Sequence, residues 1–376
     1  MRIKICLIIP TLVQGGAEKQ LTLLAKHLDR ERFDVNVVVL THSGPLEPAL
    51  RDAGVALHFV EKRGKLDPFA ILRLEKILRR LKPDIVHTWL FAGNSYGRFA
   101  ALRSKVPVVL GGERCVDPWK RWWHHRIDAW LAKRTDGIIT NTSAIRDFYG
   151  SHGIDSDFFS VIPNAVTDVR DQPLDGESKN ELRQRLFERL GIPPRKRVVG
   201  AIGRLWKQKG YEEIIWSSEL LHSVFEDAWI VIFGDGPNRE QLMHYRDRVH
   251  AEGSVKFVGH REDASELMLG FDLLWNASRY EGQSNTILEA MSKGIPVIAS
   301  DIPGTRDLIV HGKSGFLYPL KDVESLTKLS LPLLKDESAA QRIGEQAIAR
   351  VREKFSLQQM VAAHEELYRR LYQQKR

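Results

Sequence analysis

Two successive series of short apolar segments, separated by helical patterns, constrain the fold of this sequence more than any other feature. In the first series the strand-like segments cover residues 3–10, 34–40, 84–88, 106–110, 136–141 and 159–162, and helical patterns cover 17–28 and 70–81. Short apolar strands that alternate with helices are typical of βαβ units in a parallel sheet covered on both faces. The first series therefore predicts a doubly wound, Rossmann-like α/β domain.

The second series repeats this arrangement after a polar connection at 167–180 that contains Pro173 and Gly176. Its strand-like segments cover 198–202, 229–233, 255–258, 273–276, 296–300 and 315–318, and helical patterns cover 210–221 and 285–293. We expect one domain over 1–175, a second over 176–355, and a terminal segment over 356–376 whose amphipathic helix returns to the first domain. Because open α/β sheets bind ligands beyond the carboxyl ends of their strands, we expect the two domains to face each other across a cleft that holds the site.

Composition limits the class of protein. The 376 residues are 43% hydrophobic and 28% charged, which is ordinary for a soluble globular protein and excludes a disordered chain, a collagen and a coiled coil. Two cysteines, Cys6 and Cys115, exclude a disulfide scaffold and a cysteine zinc cluster, and they fit a cytoplasmic setting. No apolar run approaches the roughly 18–20 residues that span a bilayer, and the apolar opening is interpreted as a buried strand rather than a signal peptide.

Positive charge is concentrated in residues 51–150, which contain 19 Lys and Arg against 10 Asp and Glu in a chain whose net charge is +8. Such a local excess favours an anionic partner: a phosphorylated substrate, an anionic membrane surface or nucleic acid. Residues 119–126 mix three tryptophans with Lys and Arg, as at a membrane interface or on a packed helix whose arginines reach solvent. We do not expect nucleic acid, since no nucleic-acid-binding module accompanies the two Rossmann-like halves.

Two cations follow the first strand of the second series. Gly203 and Arg204 come directly after the strand, and Lys209 precedes the next helix. A helix N-terminus offers free amides and a positive dipole end, and Arg can fork onto phosphate oxygens, so this combination predicts a diphosphate site. Solvated surface cations are the alternative for either residue taken alone.

The stretch from Glu281 to Glu289 follows the strand at 273–276 and predicts a loop that opens a helix. Glu281 precedes the loop and Glu289 lies in the second turn of the helix, so the two carboxylates can hold hydroxyls at opposite ends of an extended nucleotide sugar. Without this context, both would be ordinary charged residues. The other candidate donor-binding residues of the stretch are Gly282, Gln283, Ser284 and Asn285.

Further candidates also follow strands. Gly15 and Gly16 in the first half, and Gly234 and Gly236 in the second, allow the backbone to approach a ligand closely, although plain turns explain the second pair equally well. No G-x-G-x-x-G fingerprint is present. On the acceptor side the candidates are His87, at the end of a strand, and Glu113 and Arg114, after the strand at 106–110; a buried structural role is an equal alternative for His87.

Taken together, these segments resemble the retaining glycosyltransferases of family 4, which have the GT-B fold. The resemblance rests on Gly-Gly-Ala-Glu at 15–18, Pro-Asn-Ala-Val at 163–166, Gly-Arg-Leu and Lys-Gly within 203–210, Gly-Asp-Gly-Pro at 234–237, and Glu-x7-Glu at 281–289. It implies a nucleotide-diphosphate sugar donor bound by the C-terminal domain, a glycan or lipid-linked acceptor bound by the N-terminal domain, and transfer with retention. No cofactor and no metal are expected, because cations replace the divalent ion.

The resemblance also implies roles for single residues. Arg204 and Lys209 would bind the diphosphate and stabilise the leaving group, Glu289 would hold the ribose, and Glu281 would contact the transferred sugar. The amides of 282–284 and the glycines at 15–16 would approach the sugar and phosphate. Many family members carry a histidine after the strand at 106–110, where this chain has Gly-Gly-Glu-Arg, so His87, Glu113 or Arg114 is left to replace it.

The leading hypothesis is a cytoplasmic enzyme that builds a cell-surface polysaccharide or glycolipid, with docking on the inner membrane face as an extension of it. The first alternative is a sugar-nucleotide 2-epimerase, which shares the GT-B fold. The second is a non-catalytic sugar-nucleotide or glycan-binding protein.

Overall fold

Two parallel β-sheets organise the chain in the computed structural model, which describes residues 2–64, 66–116 and 118–376. The strands are β1 Ile3–Ile9, β2 Phe33–Val39, β3 Ala56–Phe59, β4 Ile85–Thr88, β5 Val108–Glu113, β6 Gly137–Thr140, β7 Phe159–Val161, β8 Arg197–Ile202, β9 Ala228–Phe233, β10 Val255–Gly259, β11 Leu273–Asn276, β12 Val297–Ser300 and β13 Phe316–Tyr318. One compact unit contains residues 1–165 and 357–376, and the other contains 166–356.

Helices connect these strands. They are α1 Gly16–His27, α2 Glu47–Asp52, α3 Phe69–Leu81, α4 Leu90–Ala92, α5 Arg98–Arg103, α6 Trp122–Ala132, α7 Ser143–Gly150, α8 Gly176–Leu190, α9 Tyr211–His222, α10 Arg239–Arg248, α11 Ala264–Leu267, α12 Asn285–Ser292, α13 Pro303–Arg306, α14 Val323–Lys335, α15 Glu337–Lys354 and α16 Leu357–Gln374. In the described part of the chain, no helix is both long and apolar enough to cross a membrane.

The first sheet has the strand order β3-β2-β1-β4-β5-β6-β7, and its strands are parallel. Successive residues of β1 alternate between its two faces: Ile5 and Leu7 join one core cluster, whereas Cys6 and Ile8 join another. This two-sided burial explains why β1 is apolar from Ile5 to Ile9.

The second sheet has the order β10-β9-β8-β11-β12-β13 and is also parallel. Val198 of β8 belongs to the core on one face, and Val199 and Ala201 belong to the core on the other. Both units are therefore Rossmann-like α/β layers, as the two sequence series predict.

The second unit begins at Val166, earlier than the expected boundary at 175. The Val166 amide donates to the Phe355 carbonyl at 3.2 Å, and the Arg170 amide donates to the Ser292 carbonyl at 3.0 Å. These hydrogen bonds attach the polar connection to the second unit. Composition alone does not predict such tertiary contacts.

The terminal helix α16 belongs to the first unit. Met360, Leu367 and Tyr368 lie in the core on one face of the first sheet, and the Asp29 amide donates to Glu365 at 2.8 Å. Its apolar face is therefore covered by the first sheet and its helices.

Candidate active site

The strand order of the second sheet reverses at β8, which lies between β9 and β11. Loops that leave a parallel sheet at such a point diverge and leave room for a ligand between them. The loop after β8 carries Gly203, Arg204 and Lys209, and the loop after β11 carries Glu281. The structure thus places the predicted diphosphate and sugar contacts at one switch point.

The loop after β8 holds Arg204 on the surface. Its guanidinium lies 4.2 Å from the ring centroid of the exposed Trp206, a cation–π contact. Within the described residues, no carboxylate pairs with Arg204. The hydroxyl of Tyr211 donates to the Gly203 carbonyl at 2.9 Å, and burial raises the pKa of Tyr211, so this hydroxyl stays protonated and anchors the loop.

Lys209 and Glu281 form an ion pair that joins the two loops. Ser278 donates to the same oxygen of Glu281 at 2.7 Å. The backbones are also linked, since the Arg279 amide donates to the Gln208 carbonyl at 2.7 Å. The carboxylate of Glu281 is therefore oriented by two side chains before any substrate arrives.

The loop from Glu281 to Ser284 leads into α12. Gly282, Gln283 and Ser284 are buried, while Asn285 and Glu289 are partly exposed. Ser284 occupies the N-cap position, but its hydroxyl makes no capping hydrogen bond with the first turn.

The first turn of α13 supports the Glu281 loop from behind. A Cβ at Gly304 would collide with the carbonyl oxygen of Gly282 and would lie 2.8 Å from that of Glu281. Only glycine permits this approach of two backbone segments, so Gly304 sets the position of the loop.

Gly234 and Gly236 also allow one backbone segment to pack on another. A Cβ at Gly234 would collide with the Gly203 carbonyl oxygen, and one at Gly236 would meet that of Leu205 at 2.5 Å. The Leu205 amide donates to Asp235 at 3.0 Å. Loop packing alone therefore explains both glycines, and it fixes the backbone that carries Arg204.

In the first sheet, Gly15 is the N-cap of α1 and Gly16 is its first residue. A Cβ at Gly15 would collide with the carboxylate of Glu18, which lies over the glycine and is within 3.4 Å of the Thr11 hydroxyl. Burial raises the pKa of Glu18. The carboxylate of Glu18 thus lies at the helix N-terminus that the sequence predicts for a ligand.

His87 is completely buried, and its Nδ1 atom forms a 2.7 Å hydrogen bond with the Tyr368 hydroxyl. Burial lowers the pKa of His87 well below its usual value, so the ring is neutral. The contact with α16 favours the structural alternative for His87, and the other ring nitrogen, Nε2, is buried without a partner among the described residues.

Glu113 is also buried, and it belongs to an internal polar network. It accepts from Asn94 at 2.8 Å and from Tyr149 at 3.0 Å, and Lys120 lies 3.5 Å away. Asp128 completes the network with Lys120 at 2.9 Å. This network accounts for the carboxylate of Glu113, which favours a structural role for this residue.

Arg114 is also buried, and it lies against an aromatic ring. Its guanidinium lies 3.8 Å from the Trp89 ring centroid, and its Nε and Nη2 atoms are buried without a hydrogen-bond partner among the described residues. Burial lowers the pKa of Arg114 to about 9. Arg114 therefore keeps two unpartnered hydrogen-bond donors directly after β5, and His87 keeps one unpartnered ring nitrogen, Nε2.

Comparison with known proteins identifies the chain. Residues 14–170 match the family model described as Glycosyltransferase Family 4, and residues 183–350 match the model described as Glycosyl transferases group 1. Together the two models cover both units. The chain belongs to glycosyltransferase family 4. It is a hexosyltransferase that takes its sugar from a nucleotide-sugar donor, as the sequence predicts.

Named relatives of this family 4 glycosyltransferase span most of its length. A UDP-Gal:alpha-D-GlcNAc-diphosphoundecaprenol alpha-1,3-galactosyltransferase of Escherichia coli is 29% identical over 82% of both chains. The lipopolysaccharide core biosynthesis mannosyltransferase LpsB of Rhizobium meliloti is 26% identical over 72% of this chain and 74% of its own. The crystal structure of Anabaena HepE with UDP and glucose has a TM-score of 0.84 at 22% identity and covers 98% of this chain and 99% of HepE, which confirms the GT-B fold.

Sequence reasoning missed several residues that shape the site of this glycosyltransferase. Trp206, Tyr211 and Ser278 contact Arg204, Gly203 and Glu281 respectively. Their positions beside the predicted loops were a usable signal, since each lies within three residues of a predicted residue or helix start. Gly304 gave no such signal, because its contact with residue 282 is formed only in the folded unit.

Proposed function

We propose that this glycosyltransferase transfers a hexose from a UDP-sugar, with retention, to a lipid-linked acceptor in the synthesis of a cell-surface polysaccharide or glycolipid. The observation that carries the proposal is the contact between Lys209 and Glu281 at the switch point of the second sheet, with the unpaired Arg204 on the same loop. A cationic pair beside an oriented carboxylate suits a diphosphate joined to a sugar.

Leaving-group stabilisation is the chemical task in this proposal. Cleavage of the sugar–phosphate bond leaves negative charge on the diphosphate, which Arg204 and Lys209 stabilise in place of a divalent metal. Lys209 exchanges Glu281 for a phosphate oxygen, and Glu281 then accepts from a sugar hydroxyl. The acceptor hydroxyl attacks the same face of the sugar that the phosphate leaves, and the departing phosphate oxygen takes its proton.

The remaining proposed contacts with the sugar donor are made by residues of the loops and helix starts described above. We propose that Glu289 holds the ribose hydroxyls and that amides of the Glu281 loop and of Gly15 and Gly16 approach the sugar and phosphate. UDP as the nucleotide is supported by the name of the Escherichia coli relative and by the HepE complex with UDP-glucose. The roles of single residues remain part of this proposal.

A ligand screen followed by a transfer assay tests the donor. Thermal shifts are measured with UDP, GDP and ADP; a nucleotide at about 100 times its Kd stabilises the fold by about 2.7 kcal/mol. We expect the largest shift with UDP, and sugar release from UDP-hexoses only when a lipid-linked acceptor is present. Interconversion of UDP-hexoses without acceptor supports the epimerase instead, and binding without any turnover supports a non-catalytic protein.

On the acceptor side we propose Arg114 as the residue that contacts the acceptor or the transferred sugar. It lies directly after β5 and keeps two unpartnered buried donors, whereas His87 has one unpartnered ring nitrogen and Glu113 is engaged by Asn94 and Tyr149. A sugar acceptor such as a lipid diphosphate carries phosphate oxygens, and these accept hydrogen bonds from a guanidinium.

We further propose that the enzyme acts as a cytoplasmic protein docked on the inner membrane face through an aromatic surface of the first unit. Trp122 on α6 is 72% exposed and Leu66 before α3 is 89% exposed. Between these helices lies a mainly apolar groove of about 410 Å³ that includes Tyr96, Phe99 and Trp130. Tryptophan rings and apolar side chains of this kind bury themselves at the lipid headgroup level.

Cations accompany the aromatic rings on this surface. The Arg134 guanidinium lies 4.1 Å from the Trp130 ring centroid, and that of Arg126 lies 6.0 Å from Trp122. Together with the positive excess of residues 51–150, they favour an anionic over a neutral lipid surface.

Vesicle sedimentation tests this docking. We expect the enzyme to bind vesicles that contain phosphatidylglycerol and to bind phosphatidylcholine vesicles much less. We expect replacement of Trp122 and Trp130 by Ser to lower binding, whereas Trp216→Ser on α9, at a site as exposed as that of Trp130, leaves it unchanged. An equal loss of vesicle binding in the Trp122 and Trp130 variant and in the Trp216→Ser variant contradicts a specific docking surface.

A further inference from the structure

A cavity in the second unit lies at the edge of the sheet opposite the donor loops. It has a volume of about 90 Å³, several times the roughly 10–15 Å³ that one water molecule needs. Lys179 and Arg183 reach it from α8, and Arg197 reaches it from the amino end of β8. Arg204 and Lys209 follow the carboxyl end of the same strand, so the two sites are separate.

Positive charge exceeds negative charge around this cavity. Three cations face two carboxylates, Asp272 and Glu337, and the Glu337 side chain is 64% exposed. Both oxygens of Asp272 already accept a hydrogen bond: one from Arg183 at 2.7 Å, and the other from the Val198 amide at 2.7 Å. The ion pairs of Asp272 in the described residues are with Arg183 and Arg197, and not with Lys179.

Two donors at the cavity have no partner within the described residues. Arg183 is 5% exposed, and its Nε atom is buried without a hydrogen bond. The Lys179 ammonium has neither a hydrogen bond nor an ion pair. Burial lowers the pKa of Lys179 to about 8; nearby Asp272 opposes this effect, and Arg183 and Arg197 reinforce it.

Unpaired charge in a partly enclosed site is costly, and a bound group of opposite charge removes that cost. The volume suits a small tetrahedral oxyanion, which can accept from an ammonium and a guanidinium together. We propose that this cavity is a phosphate-binding site, for inorganic phosphate or for the phosphate of a small metabolite, distinct from the donor site.

The test must exclude phosphate bound by the donor cations. Titrations by calorimetry and ³¹P line broadening therefore use a protein carrying Arg204→Ala and Lys209→Ala, at constant ionic strength. The two probes are inorganic phosphate and glucose 6-phosphate. Saturable binding of inorganic phosphate indicates a site for the free ion, and tighter binding of glucose 6-phosphate indicates a site for a phosphorylated metabolite. Absence of saturable binding for both overturns the proposal.

Further substitutions locate the binding. Lys179→Gln is expected to weaken it at least about ten-fold, and Lys26→Gln, on the exposed face of α1, serves as the charge control. Should Lys179→Gln fail to fold, Gln341→Glu adds a carboxylate at the cavity lining without breaking any bond of the network, and Gln346→Glu on the same helix is its control. Binding that survives Gln341→Glu unchanged also overturns the proposal.

Discussion

At the scale of single residues, Gly304 determines how the Glu281 loop is held, because a Cβ there would collide with the Gly282 carbonyl oxygen. We expect Gly304→Ala to displace the loop and to lower kcat/KM for the nucleotide sugar by about 10–100-fold, since small misplacements of reacting groups are costly. Steady-state kinetics measure this. Gly253→Ala is the control, because a Cβ there would meet no atom within 4 Å; equal rates in both variants contradict the role of Gly304.

Arg114 gives a second prediction at this scale. Its buried, unpartnered nitrogen atoms cost stability, so Arg114→Met is expected to leave Tm unchanged or higher while sugar transfer to the acceptor falls. Thermal unfolding and transfer assays are compared on one preparation. A large loss of Tm with unchanged transfer indicates a purely structural arginine.

The sequence places the candidate donor residues in the fold better than it places the acceptor-side candidates, for a physical reason. Arg204, Lys209 and Glu281 lie in loops directly after strands, so local pattern is enough to place them at one sheet edge. The environments of His87 and Glu113 depend on Tyr368 and Tyr149, which lie far from them in the sequence. A local sequence pattern does not predict such contacts.

At the scale of elements, α16 introduces a pH dependence into the first unit. His364 on this helix is completely buried, and burial lowers its pKa to about 3. In the unfolded chain its pKa is near 6.5, so between about pH 6.5 and 3 the unfolded state binds more protons and stability falls as pH falls.

We therefore expect Tm to decrease between pH 7 and pH 5, and we expect His364→Leu to reduce this decrease. Differential scanning calorimetry at both pH values measures the difference. His244→Leu, at an exposed site on α10, should keep the wild-type dependence. An unchanged slope in His364→Leu contradicts the role of this buried ring.

Strand positions were predicted closely, since strands buried on both faces are apolar along their whole length. The segment predicted at 273–276 coincides with β11, and most others differ by one or two residues. The edge strand β3 was missed because it is short and its residues are partly exposed. Helix α6 was predicted only as one alternative for residues 119–126, because its exposed tryptophans obscure the apolar period.

At the scale of the whole molecule, the two-domain GT-B fold, the family and the enzyme class are confirmed. The segment 166–175 lies with the second unit, since its backbone bonds are to residues 292 and 355. Membrane docking, the lack of a metal and the roles of the site residues stay predictions. They depend on ligand and lipid contacts that a chain without its substrates does not contain.

Hexose transfer in a single turnover tests the central claim most directly. The rate is measured with the nucleotide sugar selected by the thermal-shift screen, for the wild-type enzyme, Lys209→Ala and Lys207→Ala. Loss of transition-state charge stabilisation predicts a rate at least about 100-fold lower for Lys209→Ala. Lys207 is exposed in the same turn, so we expect the Lys207→Ala variant to react at a rate close to that of the wild type. A Lys209→Ala rate near that of the wild type, or an equal fall in both variants, contradicts the account.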